Sequence, residues 1–495
     1  MSEETRSDEE LIRIQRIEDI KNKGIDPFGQ KFVASHNTVE AAELLKQLEA
    51  QGETALAEQK SISLSGRLMA KRGMGKAVFA NIQDISGNLQ VYFKQADLLE
   101  QFEIFEKLYV GDIIGIEGKM FRTQKQEPTL RVEKLTVLCC AIKPLPEKYH
   151  GMTDKELRYR RRPVDLIMNQ EVRETFIRRS KMISSIRRTL DSQNFFEVET
   201  PVLHAIAGGA AARPFITHHN ALDMPFYLRI ATELHLKRLL VGGMEKVYEI
   251  GRIFRNEGVS YKHNPEFTTI EIYQAYADYQ DMMTLTETIF ENAALACLGT
   301  TQVPYKDQIL EFKGPWKRIR YMDAIAEKTG LSLCELKDSS KVVAKIKDMK
   351  LNIDPSLPIG KLYDELFGEL VEGECIQPTI VYDYPIENSP LAKQIPNSPD
   401  LTYRFEAIVF GMEVANAFTE LNDPIDQKQR FEQQMLDRES GDDEAHQMDH
   451  DFVESLEYGM PPAGGLGIGI DRLAMLLSNN ESIREVILFP HMRNK

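Results

Sequence analysis

Arg252, Arg255, Glu257, His263, Asn264, Glu266 and Phe267 crowd into the stretch FRNEGVSYKHNPEFT and the residues just before it. Cations, carboxylates, an imidazole, an amide and an aromatic ring so close together suit the holding of a polar ligand, although a solvated hairpin loop would carry similar charges. The flanks bear on that choice. MEKVYEIGRIF before the stretch and EFTTIEIYQAYADY after it alternate apolar and polar residues. That spacing predicts two strands joined by a charged loop, a rigid support for convergent polar groups. Side chains alternate faces along a strand. Phe267, Thr269, Glu271 and Tyr273 therefore share one face, with Thr268, Ile270 and Ile272 on the other. The same rule groups Asn416, Phe418 and Glu420 in ANAFTEL. Aromatic rings, a phenol and carboxylates on one face fit a binding site better than a solvated sheet.

Glu406 and Glu413 are seven apart, which in an unbroken strand sends them to opposite faces. Gly411 between them can supply a turn or bulge that corrects the parity. The two carboxylates could then share a hard divalent cation such as Mg²⁺ with substrate phosphate oxygens; two exposed glutamates on an edge hairpin is the alternative. In GGLGIGIDRLAMLL, Gly465, Gly467 and Gly469 leave one strand face bare for a flat ligand or another backbone. Asp471 follows where a helix begins, with Arg472 in its first turn. The spacing is not G-x-G-x-x-G, so a dinucleotide fold gains no support.

The elements that position these groups lie in a chain of 495 residues, long enough for two or three domains. A formal net charge of −15 opposes non-specific adhesion to nucleic acid but leaves room for a local basic surface. Cys139, Cys140, Cys297, Cys334 and Cys375 form no C-x-x-C pair, which points to free thiols and away from structural zinc. The N-terminus lacks a basic segment followed by an apolar one, and no apolar run approaches a membrane span. A cytoplasmic location with no membrane partner is expected. Residues 1–60 read as a helical extension, with Leu11, Ile12, Ile14, Ile17 and Ile20 on a stripe. Residues 61–142 read as five short strands with a helix between the third and fourth, the order of an OB-type barrel. KPLPEKYHG, 143–151, reads as a linker. Residues 152–495 mix strands and helices out of parallel order, which favours an α+β domain: an antiparallel sheet flanked by helices, with a helical insertion around 315–400.

FRNEG…HNPEFT…E-x-Y resembles motif 2 of the class II aminoacyl-tRNA synthetases, GGLGIGIDRLAMLL their motif 3, and the long helix running into FFEVETPVL their motif 1, with its proline at Pro201. AGGAAARPFITHHNALD, ATELHLKRLLVGGMEKVYEIGRIFRNEG, ENSPLAK and ANAFTELNDP are similar to the bacterial-type, lysine-specific branch of that family, over nearly the whole chain. The resemblance implies activation of L-lysine by ATP to lysyl-adenylate and pyrophosphate, then transfer to the 3′ end of tRNA(Lys), by a homodimer built on motif 1. Carried over, Arg255 and Arg472 are the catalytic pair on the α- and γ-phosphates, Phe267 stacks on adenine, and Glu257, His263 and Asn264 complete the ATP loop. Glu406 and Glu413 hold Mg²⁺. Gly208, Glu233, Glu271, Tyr273, Asn416, Phe418 and Glu420 form the lysine pocket. In the barrel, Lys71, Arg72, Phe79, Gln90 and Glu127 read the anticodon, with ring stacking, base-edge groups and backbone cations as single-stranded RNA requires. KQEPTLRV departs from the family's usual glycine–glutamate turn beside Glu127. The alternative is a catalytically silent paralogue that keeps the fold to bind RNA or a regulatory partner. It predicts erosion among Arg255, Glu406, Glu413 and Arg472, and all four are present.

Overall fold

The structure is a computed structural model that describes residues 6–57, 59–73, 75–146, 154–439 and 447–493. It divides into two compact units, Met1–Thr153 and Asp154–Lys495. In the first unit the strands Ser61–Arg72, Ala77–Gln83, Asn88–Lys94, Ile113–Arg122 and Pro128–Cys139 close into a barrel, the fifth strand inserting between the third and fourth. Buried residues alternate along the first three strands, as a barrel with one packed face requires. Two short helices, Gln95–Leu98 and Glu100–Lys107, follow the third strand.

The N-terminal helices belong to this unit's core. Ile17 and Ile20 of Asp8–Asn22 and Leu45 of Thr38–Ala50 pack in one cluster with barrel residues such as Leu64 and Val132. The expected stripe is narrower than its pattern, because Leu11 and Ile12 are exposed. Arg13 and Arg16 take the buried positions instead, with their guanidinium groups 4.9 and 4.7 Å from the Tyr109 ring centre. Arg16 also pairs with buried Asp112 at 2.5 Å. A helix face can bury arginine when an aromatic ring and a carboxylate receive it.

The second unit is built on one sheet. Across it run Lys317–Arg320, Thr379–Pro385, Ser398–Val409, Met412–Thr419, Ala463–Gly469, Glu266–Ala275, Lys246–Phe254 and Phe196–Glu197. The central pairs are antiparallel and the outermost pair at each edge is parallel. On one face, Ile270, Ile272, Phe405, Ala407, Leu466 and Ile468 form a core with the helices Gln170–Asp191 and Tyr279–Leu298. The opposite face carries the polar residues singled out by the sequence.

The segment 315–400 is not wholly an insertion. Lys317–Arg320 and Thr379–Pro385 are strands of the main sheet, and only the helices from Tyr321–Thr329 to Ile359–Leu370, with the short turn after them, lie outside it, packed on Val381, Tyr384 and Ile408 of its strands. KRIR is too short and too charged to read as a strand from sequence. As an edge strand it needs only one neighbour, and its charges suit an open edge.

Candidate active site

The hairpin of Lys246–Phe254 and Glu266–Ala275 holds the charged loop at its closed end, where the Arg255 N–H donates to the Pro265 carbonyl at 2.9 Å. The Arg255 guanidinium lies 5.3 Å from the Phe267 ring centre, and its Nε donates to the Ile230 carbonyl at 3.4 Å. His263 Nδ1 meets Ser260 Oγ at 2.9 Å, and its Nε2 lies 3.3 Å from Arg472 Nη2. Burial, and then the charge of Arg472, pull the His263 imidazole below its ordinary value. Asn264 is buried and donates Nδ2 to the Glu266 carbonyl at 2.6 Å. Glu257 is exposed on the loop.

Asp471 ties three segments together. Its Oδ1 accepts from Arg179 Nη1 of the long helix at 2.5 Å, and its Oδ2 accepts from the Thr268 N–H at 2.7 Å. The carboxylate is 2 % exposed. It therefore ties the start of the helix that carries Arg472 to the strand that carries Phe267. The bare glycine strand lies alongside. A Cβ on Gly467 would find only Glu271 and Asn416 atoms, at 3.8 Å or beyond, so that part of the face is open. A Cβ on Gly465 would come within 1.9 Å of Glu420 Oε1 and 2.6 Å of Tyr273 Cε1, so glycine is required there.

Around Gly465 lies a buried acidic pocket. Glu420 is fully buried and Glu233 nearly so. Glu271 accepts from the Thr232 N–H at 3.1 Å and from the Tyr273 hydroxyl at 3.3 Å. Burial pushes the Glu271 carboxyl up to about 7, with the charge of Glu233 adding to it, and burial also raises Glu420. Gly208 sits where a side chain would meet Leu234 at 2.9 Å. Asn416 accepts from Arg404 Nε at 3.2 Å, and the Arg404 guanidinium is 5.7 Å from the Phe418 ring centre.

The hairpin turn at Phe410 and Gly411, both with positive φ, corrects the parity of the acidic pair. Val409 pairs with Met412 and Ile408 with Glu413, which puts Glu413 on the face of Glu406. A bulge then turns both Val414 and Ala415 into the core, and Asn416, Phe418 and Glu420 return to the site face. Glu406 accepts from Arg404 Nη2 at 2.5 Å and from the Tyr384 hydroxyl at 3.0 Å, while Glu413 Oε2 lies 3.2 Å from Arg472 Nη1. Burial and the charge of Glu413 raise the Glu406 carboxyl. One largely buried and one half-exposed carboxylate on one face fit a divalent cation. Among the described residues no group of three or more carboxylate, imidazole or thiol ligands gathers, so such an ion would draw its remaining ligands from water and substrate.

On the barrel, Phe79 is exposed and its ring centre lies 4.7 Å from that of Tyr92, which is 6.2 Å from that of Phe121. Gln90 is fixed at both ends of its amide: Thr129 Oγ1 donates to its Oε1 and its Nε2 donates to Glu127 Oε2, each at 2.8 Å. Arg72 is exposed nearby, opposite Phe79. Lys71 departs from the expectation. Its Nζ donates to the carbonyls of Phe105, Glu106 and Leu108 at 2.9, 3.3 and 2.9 Å, so it closes the end of the Glu100–Lys107 helix and has no proton left for RNA. The carbonyls that converge at the helix C-terminus attract a cation there.

Sequence reading passed over four residues. Lys237 lies between Glu233 and Glu420, and only its i,i+4 spacing from Glu233 hinted at this. Arg404 shares a strand face with Glu406, two residues on. Tyr92 and Phe121 join Phe79 only through cross-strand pairing, which a linear pattern does not specify.

Comparison with known proteins gives the family. The family described as tRNA synthetases class II (D, K and N) matches residues 154–493, and an OB-fold nucleic acid binding domain matches residues 62–138. The chain belongs to the class II tRNA synthetases. Within them it falls among proteins named lysine–tRNA ligase: it is 54 % identical to that of Carboxydothermus hydrogenoformans over 97 % of each chain. It is 51 % identical to that of Moorella thermoacetica and 50 % to that of Bacillus subtilis, over the full length of both.

Proposed function

We propose that the protein is a lysine–tRNA ligase: it activates L-lysine with ATP to lysyl-adenylate, releasing pyrophosphate, and transfers the lysyl group to the 3′ end of tRNA(Lys). The observation that carries the reading is the buried acidic pocket of Glu233, Glu271 and Glu420 beside the arginines of the loop and of the 470–477 helix. A substrate with two ammonium groups and one carboxylate suits that distribution of charge. Glu420 and Tyr273 receive the side-chain ammonium, Glu271 the α-ammonium, and Gly208, Glu233, Asn416 and Phe418 complete the wall.

The lysine carboxylate attacks the α-phosphorus in line and pyrophosphate leaves, a displacement that needs no protein nucleophile or base. Arg255 holds the α-phosphate and gathers the charge that grows on it. Phe267 stacks on adenine, and Glu257, His263 and Asn264 position the nucleotide with it. Arg472 binds the γ-phosphate, so the chain of phosphates lies bent and aligned. Glu406 and Glu413 hold Mg²⁺, which supplies further charge neutralisation on the phosphates. The barrel reads the anticodon through Phe79, Gln90, Glu127 and Arg72. The subunit pairs with a second copy through the motif 1 helix and strand and acts in the cytoplasm; no helix among the described residues is long and apolar enough to cross a membrane.

The test is ATP–pyrophosphate exchange with each of the twenty amino acids supplied singly, without tRNA. Exchange with lysine alone is expected. Exchange with aspartate or asparagine would refute the pocket reading, and none from folded, Mg²⁺-supplied protein would favour a silent paralogue.

A further inference from the structure

Lys237 is fully buried, one helical turn after Glu233 at the start of the Glu233–Val241 helix. Its Nζ donates to Glu233 Oε1 at 2.6 Å and lies 2.5 Å from Glu420 Oε2. Both Glu420 oxygens are buried without a hydrogen bond of good geometry; Oε2 has the Lys237 ion pair, whereas Oε1 has no partner among the described residues. That oxygen projects over Gly465, where any side chain would collide with it, and the Tyr273 ring stands beside it. The rest of the helix's buried face, Leu234, Leu236 and Leu240, is apolar. An ion pair here is not needed to bury the helix, because an apolar residue of similar size would serve at lower desolvation cost.

We propose that Lys237 is a positioning residue for substrate selection: its ammonium, fixed between Glu233 and Glu420, neutralises one carboxylate of the pocket and turns the free oxygen of Glu420 toward the side-chain ammonium of lysine. The inference rests on the lysine-pocket reading. The groups that face this ammonium are Glu233 from its own helix, Glu420 from the segment after the Met412–Thr419 strand, and, one layer further, Glu271 and Tyr273 from the Glu266–Ala275 strand. Three carboxylates against one internal cation leave two negative charges, which matches the two ammonium groups of lysine. Without Lys237 the buried carboxylates repel one another more strongly, and one of them retains a proton that the substrate must displace. The oxygen of Glu420 also loses the partner that sets its direction.

The experiment compares wild-type protein with Lys237→Met, an uncharged side chain of similar length, by ATP–pyrophosphate exchange over pH 7 to 9. Wild-type exchange with lysine is measured first; its absence would refute the lysine pocket rather than the role of Lys237. The expected result is a KM for lysine raised at least about tenfold at pH 7, with KM for ATP within about twofold. The ratio of variant to wild-type KM should shrink toward pH 9 as the retained proton is lost. An unchanged KM for lysine would overturn the proposal, as would equal rises for lysine and ATP with a ratio independent of pH. Lys237→Gln keeps a hydrogen-bond donor without the charge and serves if the methionine variant does not fold. It should show the same rise, and a near-normal KM would overturn the charge argument.

Discussion

Replacing Asp471 with asparagine tests whether the three sequence motifs act as one body. The side chain is 2 % exposed and accepts from Arg179 Nη1 at 2.5 Å and from the Thr268 N–H at 2.7 Å. Asparagine has one oxygen for two donors, so its amide nitrogen must face either the guanidinium or the backbone N–H. A lost charge-assisted bond costs about 1.5–3 kcal/mol. Arg179, 14 % exposed, also loses its counter-charge, and the total should be roughly 3–4 kcal/mol. At about 2 °C per kcal/mol for a large unit, the melting temperature of the catalytic unit should fall by roughly 6–8 °C. The functional loss should be uneven. Thr268 follows Phe267 and Asp471 precedes Arg472, so the nucleotide side loosens, whereas Tyr273 and Glu420 lie toward the other end of the sheet. KM for ATP should rise about tenfold, while KM for lysine changes by about twofold or less. Thermal melting and exchange kinetics on the same preparation decide it. A shift below about 1 °C with unchanged KM for ATP would refute the reasoning.

Other expectations follow from the same geometry. Burial holds Glu271 near 7, so at pH 6 it carries a proton that lysine must displace; KM for lysine should fall as pH rises through 7, and a flat or rising profile would count against the pocket. The sign for stability is the reverse: the unfolded chain loses this proton first, near pH 4.3, so stability of the substrate-free protein falls as pH rises from about 4.3 to 7, visible as a falling melting temperature. Phe79→Ala should raise KM for tRNA about fivefold or more, the loss of one stacked base, and leave tRNA-free exchange unchanged. Lys71→Met should do the opposite, lowering the melting temperature of the barrel with KM for tRNA near wild type, because its ammonium is spent on three carbonyls. Glu413→Gln should increase the Mg²⁺ concentration needed for half-maximal exchange about tenfold, read by titrating the metal at saturating lysine.

What the sequence made legible was whatever follows from period and local chemistry. Strand alternation separated Glu271 and Tyr273 from Ile270 and Ile272, and packing divides the tyrosine from the isoleucines: Ile270 and Ile272 join the helix-covered core, while Tyr273, equally buried, packs in a separate cluster. Gly411 announced a turn between Glu406 and Glu413. The bulge at Val414 and Ala415 was not legible, since both are ordinary strand residues and only the register reveals the extra one. Lys71 was misread because a cation beside Arg72 on a barrel strand has the right type for RNA. Its true partners lie more than thirty residues away, at the end of a helix. Lys237 and Arg404 escaped for a related reason: each is defined by carboxylates that the fold brings to it.

Those two internal cations bear on how the site discriminates. Arg404 meets Glu406 on the metal side, where Arg472 also reaches Glu413, and Lys237 meets Glu420 on the amino-acid side, so each acidic cluster is already partly neutralised from within. An acidic substrate such as aspartate would bring a second carboxylate to a pocket that retains two uncompensated negative charges. It would have to enter against that field or force protons onto buried groups, at a cost of several kcal/mol. A shorter diamine such as ornithine meets no such barrier. It keeps both ammonium groups and lacks one methylene, worth about 1–3 kcal/mol of discrimination. The pocket should therefore reject by charge far more strongly than by length, and the ratio of exchange rates for lysine and ornithine should be orders of magnitude smaller than that for lysine and aspartate. A comparable rejection of both would mean that shape, set by Tyr273, Phe418 and Gly465, dominates over the balance of charge.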